Sequence, residues 1–339
     1  MIRPVSARRP TVQNAVMAIA VVITLAVVSC SSASASRQPF TPDLSGIATA
    51  RHAPAIPRRG AYFGARVNLG DTSQTGQVAA LDLLQRQLGR RLDIVHTYLT
   101  WLATFPSPTD AAALAQHSLL LLSWTGTNSS AVASGTDDRL IRKRAREIKA
   151  TGKPIFLEWR WEMNRPNLRS VVGTPGDFIA AWKHVRAIFA QEHVNNVAWV
   201  WCPTAKGFQP GGNAAAYYPG DREVNWICTD AYPGFGPYRS FSTTVQPFLS
   251  WASHHRKPVM IGEYGVPLRY GPQQRAQWLR EAAQTVRRNP QIKAFVYFDV
   301  DPLSAPGDGF ALEPNSPALQ AFRAMAGSRY FNPPGRGRG

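Results

Sequence analysis

Eight short apolar segments alternate with amphipathic stretches along this chain, and this alternation is the strongest constraint on its fold. The strand-like segments are 61–68, 92–98, 118–124, 153–162, 197–201, 224–231, 258–262 and 292–298. Repeated strand–helix alternation of this length is typical of a closed barrel or a doubly wound sheet. No Gly-x-Gly-x-x-Gly motif follows the first strand and no phosphate loop occurs, which favours the barrel. The sequence therefore predicts an α/β fold, a single (β/α)8 TIM barrel over residues 58–328.

The N-terminal residues predict export rather than fold. Basic residues precede an uncharged apolar run over 15–28, and small residues follow it, as in an export signal over 1–35. Two processing routes remain open. Val27-Val-Ser-Cys30 resembles a bacterial lipobox, in which Cys30 is lipidated and anchors the protein to a membrane, whereas cleavage near Ala35 releases it. We expect an exported protein, secreted or lipid-anchored at the bacterial cell surface.

Two further segments lie outside the predicted barrel. Residues 36–57 are rich in Ser, Ala and Pro and predict a flexible linker, and residues 329–339 predict a disordered basic tail. The formal net charge is +17, which suits contact with acidic cell-wall polymers or anionic lipid, although an Arg-rich composition with solvated helix faces is the more ordinary explanation. Nucleic-acid binding is not expected, because no recognised binding motif accompanies the charge.

Cys202 and Cys228 each lie in a strand-like segment. In an exported chain, cysteines on neighbouring strands are candidates for a disulfide. Two buried free thiols are the alternative. No metal site is expected around them, because no cluster of histidines or acids has ligand spacing.

Glu162 and Glu263 each follow a strand that begins with Lys-Pro. In a parallel barrel, residues at the C-terminal ends of the strands form the active site. Two carboxyls placed there, with aromatic neighbours, indicate glycoside hydrolysis. Trp161 and Met163 flank Glu162, and apolar surroundings raise a carboxyl pKa, as a general acid requires. Tyr232 is placed to donate a hydrogen bond to Glu263. Taken singly, each glutamate has an ordinary alternative as an ion-paired acid at a strand end.

Several segments together resemble glycoside hydrolase family 26, the β-mannanases and related β-glycanases. They match that family in chain order over roughly Tyr62 to Phe298. The matching segments are Leu92-Asp-Ile-Val-His-Thr-Tyr98 with Trp101, Ser123-Trp124, Trp161-Glu-Met-Asn164, Tyr217-Tyr-Pro-Gly-Asp221, Val224-Asn-Trp-Ile-Cys-Thr-Asp-Ala-Tyr232 and Lys257-Pro-Val-Met-Ile-Gly-Glu-Tyr-Gly265.

The resemblance implies a retaining glycoside hydrolase that cleaves β-linked polysaccharide by double displacement, first of all an endo-β-1,4-mannanase. By that resemblance Glu162 is the acid/base, Glu263 is the nucleophile and Tyr232 supports the nucleophile. No cofactor is expected, and such a barrel needs no partner chain to bury its core, so we expect a monomer. The substrate-binding residues expected at the site are Trp161, Asn164, Trp201, Tyr264, Phe298 and Asp299.

Two departures from the family pattern bear on specificity. The residue before the acid/base is often histidine, and here it is Trp161. The residue four before it is often arginine, and here it is Glu158. Strand alternation places Arg160 on the same face as Glu158, where it is expected to compensate the extra charge. Action on β-glucan or β-xylan, a non-catalytic polysaccharide-binding barrel, and a basic scaffold that holds acidic wall polymer are the alternatives.

Overall fold

The computed structural model describes residues 52–234, 236–301 and 309–334. Eight parallel strands close into one barrel in which each strand pairs with its neighbours in sequence order and β8 pairs with β1. The predicted (β/α)8 fold is therefore confirmed. The strands are β1 (Tyr62–Asn68), β2 (Ile94–Leu99), β3 (Leu119–Trp124), β4 (Ile155–Trp159), β5 (Val197–Trp201), β6 (Trp226–Ala231), β7 (Val259–Tyr264) and β8 (Ile292–Val300).

Helices surround the barrel, and their N-termini carry the residues that favour helix initiation. The helix Pro175–Gln191, for example, is capped by Thr174. The Thr174 side chain accepts a hydrogen bond from the Asp177 backbone N–H, and the Asp177 side chain accepts one from the Thr174 backbone N–H. The α-helices are α1 (Gln74–Leu88), α2 (Pro108–Ala115), α3 (Ser129–Ala133), α4 (Asp138–Ala150), α5 (Arg169–Val172), α6 (Pro175–Gln191), α7 (Phe241–Ala252), α8 (Pro272–Arg288) and α9 (Pro317–Gly327). Short 3-10 helices lie at Pro166–Leu168, Ala205–Phe208, Ala214–Tyr217, Leu268–Tyr270 and Arg329–Phe331.

The inside of the barrel is filled by alternate residues of each strand, as the period of two requires. Its apolar layers form one buried cluster, which Ala53 and Ile56 cover at the end where the strands begin. Above these layers the inward positions become polar, at the end where the strands finish. The inward apolar residues are Tyr62, Ile94, Leu119, Leu121, Phe156, Ala198, Val200, Cys202, Trp226, Cys228, Met260, Ala294 and Val296.

The intervening residues face outward and pack against the helices. Trp159 of β4 stacks on Phe178 of α6 at a centroid distance of 5.8 Å, and Trp199 meets Trp182 of the same helix at 5.7 Å. Trp159 is therefore a core residue. The inward face of each strand thus fills the barrel, whereas the outward face packs against the helices.

Two boundary predictions need correction within the described residues. Residues 52–57 are not a free linker, because the Ala55 carbonyl accepts a hydrogen bond from the Tyr62 hydroxyl at 3.0 Å. The described part of the predicted tail belongs to the core. Phe331 is fully buried, and its ring lies 5.5 Å from that of Phe63.

The predicted export signal over 1–35, Cys30 and the end of the tail after 334 lie outside the described residues. Within the described ranges, no helix is long and apolar enough to cross a membrane.

Candidate active site

A β-bulge in β7 turns Glu263 into the barrel. The pairing register of β7 shifts between Ile261 and Glu263 against β6, and between Ile261 and Tyr264 against β8. A bulge adds one residue to a strand and reorients the side chains beyond it. Glu263 consequently faces inward and is only 6% exposed, whereas the next residue, Tyr264, packs outward against Phe295.

Two tyrosines hold the Glu263 carboxyl. The Tyr232 hydroxyl donates to Oε2 at 2.6 Å, as the sequence predicted, and the Tyr98 hydroxyl donates to Oε1. Burial and the nearby Glu162 carboxyl raise the pKa of Glu263 to about 7, and these two hydrogen bonds and the Arg66 charge oppose that rise. Burial also raises the pKa of both tyrosines, so each keeps the proton that it donates.

Glu162 lies three residues beyond the end of β4 in a tight left-handed turn with φ 49°. Its backbone N–H donates to the Cys202 carbonyl at 2.7 Å, which fixes the turn to the end of β5. Its carboxylate pairs with Arg165, Nη1 to Oε2, at 2.6 Å. Burial raises the pKa of Glu162, and the charge and hydrogen bond of Arg165 oppose the rise. Because each carboxyl titrates in the presence of the other, the pair loses its protons in coupled steps.

Glu158 lies one layer below these two carboxyls and is almost completely buried. The Ser123 hydroxyl donates to its Oε2, and Ser123 Oγ lies 2.6 Å from Nε2 of His96. Burial raises the pKa of Glu158 well above its usual value and lowers that of His96 well below its own. A neutral His96 therefore donates to Ser123, which donates in turn to Glu158.

The expected compensation of Glu158 by Arg160 is wrong. The chain leaves β4 after Trp159, and Arg160 adopts φ 54°, so strand alternation no longer applies to it. Its guanidinium donates to the Thr127 carbonyl at 2.7 Å.

The sulfurs of Cys202 and Cys228 are bonded to each other, and they lie beside Glu158 and Asp230. One potential ligand atom from each of these four residues lies within 4.8 Å of all the others. Since the sulfurs are joined, the two carboxyls are the remaining donors of that group. Burial raises the pKa of Asp230 well above normal, and the charge of Glu263 adds to the effect. Neutral side chains at these two positions fit the buried surroundings.

Two of the expected substrate-binding residues border the carboxyls. The half-exposed Trp161 ring lies 5.1 Å from the ring of Tyr98. The half-exposed Phe298 ring meets Tyr232 edge to face at 5.9 Å. Both offer an apolar surface beside the pair of carboxyls, which suits the C–H face of a sugar ring.

Of the other expected substrate contacts, three point away from the carboxyls and the fourth, Asn164, bonds to a neighbouring loop. Trp201 is completely buried against Trp251 of α7, and Tyr264 is buried against Trp278 of α8. Both have outward strand positions. Asp299 also points outward, where its Oδ1 accepts from the Leu312 N–H at 2.7 Å. Asn164 is bonded at both ends of its amide to Thr204, at 2.8 and 3.0 Å, and so fixes the loop after β5.

Three site residues escaped the sequence interpretation. Tyr98 belongs to a segment that was recognised, and its inward position follows from counting along β2, so a signal for it existed. Arg66 reaches the site by the same rule, from β1, and its guanidinium lies 5.2 Å from the Tyr98 ring centroid. Arg165 follows the motif around Glu162 and had no signal, because its contact depends on the turn after β4.

Two curated proteins are similar in sequence. Endoglucanase H of Acetivibrio thermocellus is 28% identical over 273 residues, covering 75% of this chain and 30% of that protein. Beta-1,3-xylanase TXYA of a Vibrio species is 27% identical over 145 residues, covering 41% of this chain and 29% of that protein. The chain therefore spans about a third of the length of the curated relatives it matches. No protein-family model matches it.

Solved structures give the fold. A β-mannanase from a symbiotic protist of the termite Reticulitermes speratus aligns with a TM-score of 0.56 at 17% identity, over 83% of this chain and 92% of that one. A modular family 26 endo-β-1,4-mannanase of Cellulomonas fimi gives 0.59 at 16% identity, over 80% of this chain and 71% of that one. These two mannanases and this chain thus share the (β/α)8 fold.

Proposed function

We propose that this protein is a retaining glycoside hydrolase that cleaves β-linked polysaccharide. The observation that carries the proposal is the pair of buried, mutually interacting carboxyls, Glu162 and Glu263, at the end of the barrel where the strands finish. One of them is held by two hydroxyl donors and the other lies in a turn beside half-exposed aromatic rings. A retaining hydrolase needs one carboxyl that carries a proton and one that attacks.

The surroundings of the two carboxyls support a distinct role for each. Glu263 accepts hydrogen bonds on both oxygens, from Tyr98 and Tyr232, and such donors stabilise a carboxylate and aim it. It is therefore the nucleophile, which attacks the anomeric carbon and forms a glycosyl-enzyme. Glu162 protonates the departing glycosidic oxygen in this step. Once deprotonated, Glu162 removes a proton from water, which attacks the same carbon and releases the sugar.

Arg165 influences whether Glu162 is protonated or ionised. In the free protein the ion pair at 2.6 Å favours the ionised form of Glu162 and opposes the rise in its pKa that burial causes. We infer that a sugar bound beside Trp161 weakens this pair and dries the carboxyl, so that its pKa rises as the substrate binds. After the first step, the same arginine stabilises Glu162 in the ionised form needed to activate water.

The substrate we propose first is a β-1,4-mannan, on the likeness in fold to the mannanases. A β-glucan is the second candidate, and one observation favours it: the sequence is more similar to a protein named endoglucanase than to the mannanases of known structure. Trp161 and Glu158 stand where many mannanases carry histidine and arginine, which also separates this site from theirs.

The test is the release of reducing sugar by the purified chain from mannan, glucomannan, mixed-linkage β-glucan, β-1,3-xylan and β-1,4-xylan. Glu162→Gln and Glu263→Gln keep the shape of each side chain and are tested beside it. We expect one polymer class to be cleaved, and each variant to lose at least about 10²- to 10⁴-fold in rate. Binding of a polymer without cleavage by the unaltered chain would instead support the non-catalytic barrel.

We further propose that the protein is exported and acts outside the cytoplasm. The apolar run over 15–28 and the basic residues before it support export. A Cys30→Ala variant expressed in a bacterial host separates the two processing routes. Lipid anchoring predicts that the unaltered chain partitions with membranes and the variant does not, whereas simple cleavage predicts that both are released alike.

A further inference from the structure

The two ends of the barrel differ in charge. Among the described residues, the loops that lead into the strands carry more cations than acids, whereas the loops that follow the strands carry both signs in comparable number. The cations of the loops entering the strands are Arg58, Arg59, Arg90, Arg91, Lys153, Arg222, Arg256, Lys257 and Arg329, and their acids are Asp93, Glu192, Asp221 and Glu223. Each of these acids already has a partner. Asp93 bonds to Arg90, Glu192 to Arg146 and Asp221 to His255, each at 2.8 Å, and Glu223 lies 3.5 Å from Arg186.

A groove with a volume of about 1950 Å³ opens at this basic end, between the starts of β1 and β2 and the end of α9. Arg59, Arg91 and Arg329 line it, and all three are exposed. Arg90 forms part of its wall, where its guanidinium bonds to the carbonyls of Ala326 and Phe331. The groove therefore has a hydrogen-bonded wall and three cationic side chains that are exposed to solvent.

We propose that this groove binds a linear polymer with closely spaced carboxylates or phosphates, such as an acidic wall polysaccharide. A concave, basic surface attracts polyanions by releasing their counterions and by focusing the field of its charges. Arginines hold carboxylate and phosphate groups through paired hydrogen bonds. No described acid in the groove other than the already paired Asp93 opposes such a ligand.

The composition of this surface favours a soluble polymer over a membrane as its ligand. Proteins that dock on lipid combine basic residues with exposed apolar side chains that enter the bilayer. The exposed large apolar side chains of the described part are Leu83, Leu102 and Tyr238, and none of them belongs to a loop that enters a strand. The basic end has charge without an apolar anchor.

Nucleic acid is a poorer match for the same reason. Single strands bind by stacking their bases on exposed aromatic rings. Apart from the imidazole of His117, the aromatic ring lining the groove is Tyr330. Tyr330 is partly buried against Phe331 and donates its hydroxyl to the Val286 carbonyl at 3.2 Å. A polymer that offers charges but no bases fits the groove better.

The groove lies at the opposite end of the barrel from Glu162 and Glu263. A polyanion bound there leaves the carboxyls free, so binding holds the protein at an acidic matrix while its other end acts on a neutral chain. The two functions are independent, and each is testable if the other fails.

The experiment measures binding of the full chain to polygalacturonate and to polyphosphate, with dextran as the neutral polymer, at about 50 mM and about 500 mM salt. The variant Arg59→Glu/Arg91→Glu/Arg329→Glu reverses the charge of the groove. The matched control Arg139→Glu/Lys183→Glu/Arg280→Glu reverses three exposed cations on the outer faces of α4, α6 and α8. Circular dichroism melting checks that both variants are folded, and polymer cleavage by each is measured in parallel.

We expect salt-sensitive binding to at least one polyanion, a loss of about ten-fold or more in the groove variant, and a change below about three-fold in the control. Preference for one of the two polymers identifies carboxylate or phosphate as the ligand group. Equal losses in the two variants would overturn the proposal, because net charge alone would then explain binding. Binding to vesicles of anionic lipid without binding to either soluble polymer would also overturn it.

Discussion

The inner and outer surfaces of the strands differ most at the end where the strands finish. Inside, β4, β6 and β7 bring together the carboxyls of Glu158, Asp230 and Glu263, and hydroxyl and histidine groups accompany them. Outside, the next residue along the same strands is often a large ring, as at Trp159 and Tyr264, packed against a helix. Neighbours in sequence thus have different roles. A side chain that faces inward contributes to the site, and one that faces outward packs against a helix.

The largest expected effect contrasts two tryptophans on these two surfaces. Trp201→Ala removes a completely buried ring, and we expect a loss of about 3–5 kcal/mol in the free energy of unfolding. Trp161→Ala removes a half-exposed ring beside the carboxyls. We expect it to change stability little and to raise KM about ten-fold, equivalent to about 1.4 kcal/mol of binding. Chemical denaturation and steady-state kinetics measure the two quantities. The contrast fails if Trp201→Ala weakens substrate binding in protein that is still folded.

Tyrosines provide the next contrast. Tyr98→Phe removes one of the hydroxyls that hold Glu263, and a hydrogen bond to a charged group contributes about 1.5–3 kcal/mol. We expect kcat/KM to fall about 10- to 100-fold. Since the lost bond lowers the pKa of Glu263, the acidic limb of the pH profile should move to higher pH.

The matched control is Tyr264→Phe on the adjacent residue of β7. Its hydroxyl is buried and has no hydrogen-bond partner among the described residues, so its removal should leave kcat/KM unchanged within about two-fold. Equal losses in the two variants would show that β7 tolerates no change, and would remove the case for Tyr98.

Residues that face the inside of the barrel could be assigned from sequence wherever side chains alternate regularly between the two faces of a strand. The barrel, the order of its strands and the location of both glutamates followed from apolar runs and their ends. Trp201 and Asp299 were predicted to bind substrate, although counting alternate residues along their strands already assigns both to the outward face. Tyr264 was beyond reach of that rule, because the bulge in β7 changes the parity between Ile261 and Glu263. Arg165 depended on the left-handed turn at Glu162, which no residue pattern marks.

A smaller effect is expected at the rim of the inner surface. Arg165→Gln removes the charge that lowers the pKa of Glu162. Activity requires protonated Glu162 in the first step, so the basic limb of the kcat/KM profile should move to higher pH. Arg165→Lys retains a charge and should keep the limb near its original position. An unchanged basic limb in Arg165→Gln would mean that Glu162 does not set it.

The smallest effect concerns Glu158, deep in the inner surface. Its folded-state pKa is raised by burial, so the folded protein binds more protons than the unfolded chain above the ordinary glutamate pKa. Stability should therefore fall as the pH rises through that window. Glu158→Gln removes this dependence and should raise the melting temperature by more at pH 8 than at pH 5, by a few degrees at most. An equal shift at both pH values would indicate that Glu158 is already ionised at pH 5.

The most direct test of the account is chemical rescue of Glu162→Ala and Glu263→Ala with azide on an activated aryl β-glycoside of the sugar that the polymer panel identifies. In Glu263→Ala, azide occupies the place of the missing nucleophile, and the account predicts an α-glycosyl azide. In Glu162→Ala, azide attacks the glycosyl-enzyme and should give the β-glycosyl azide. The product anomers, resolved by NMR, then assign both roles. The reverse pair of anomers, or full hydrolysis by either variant without azide, would contradict the account.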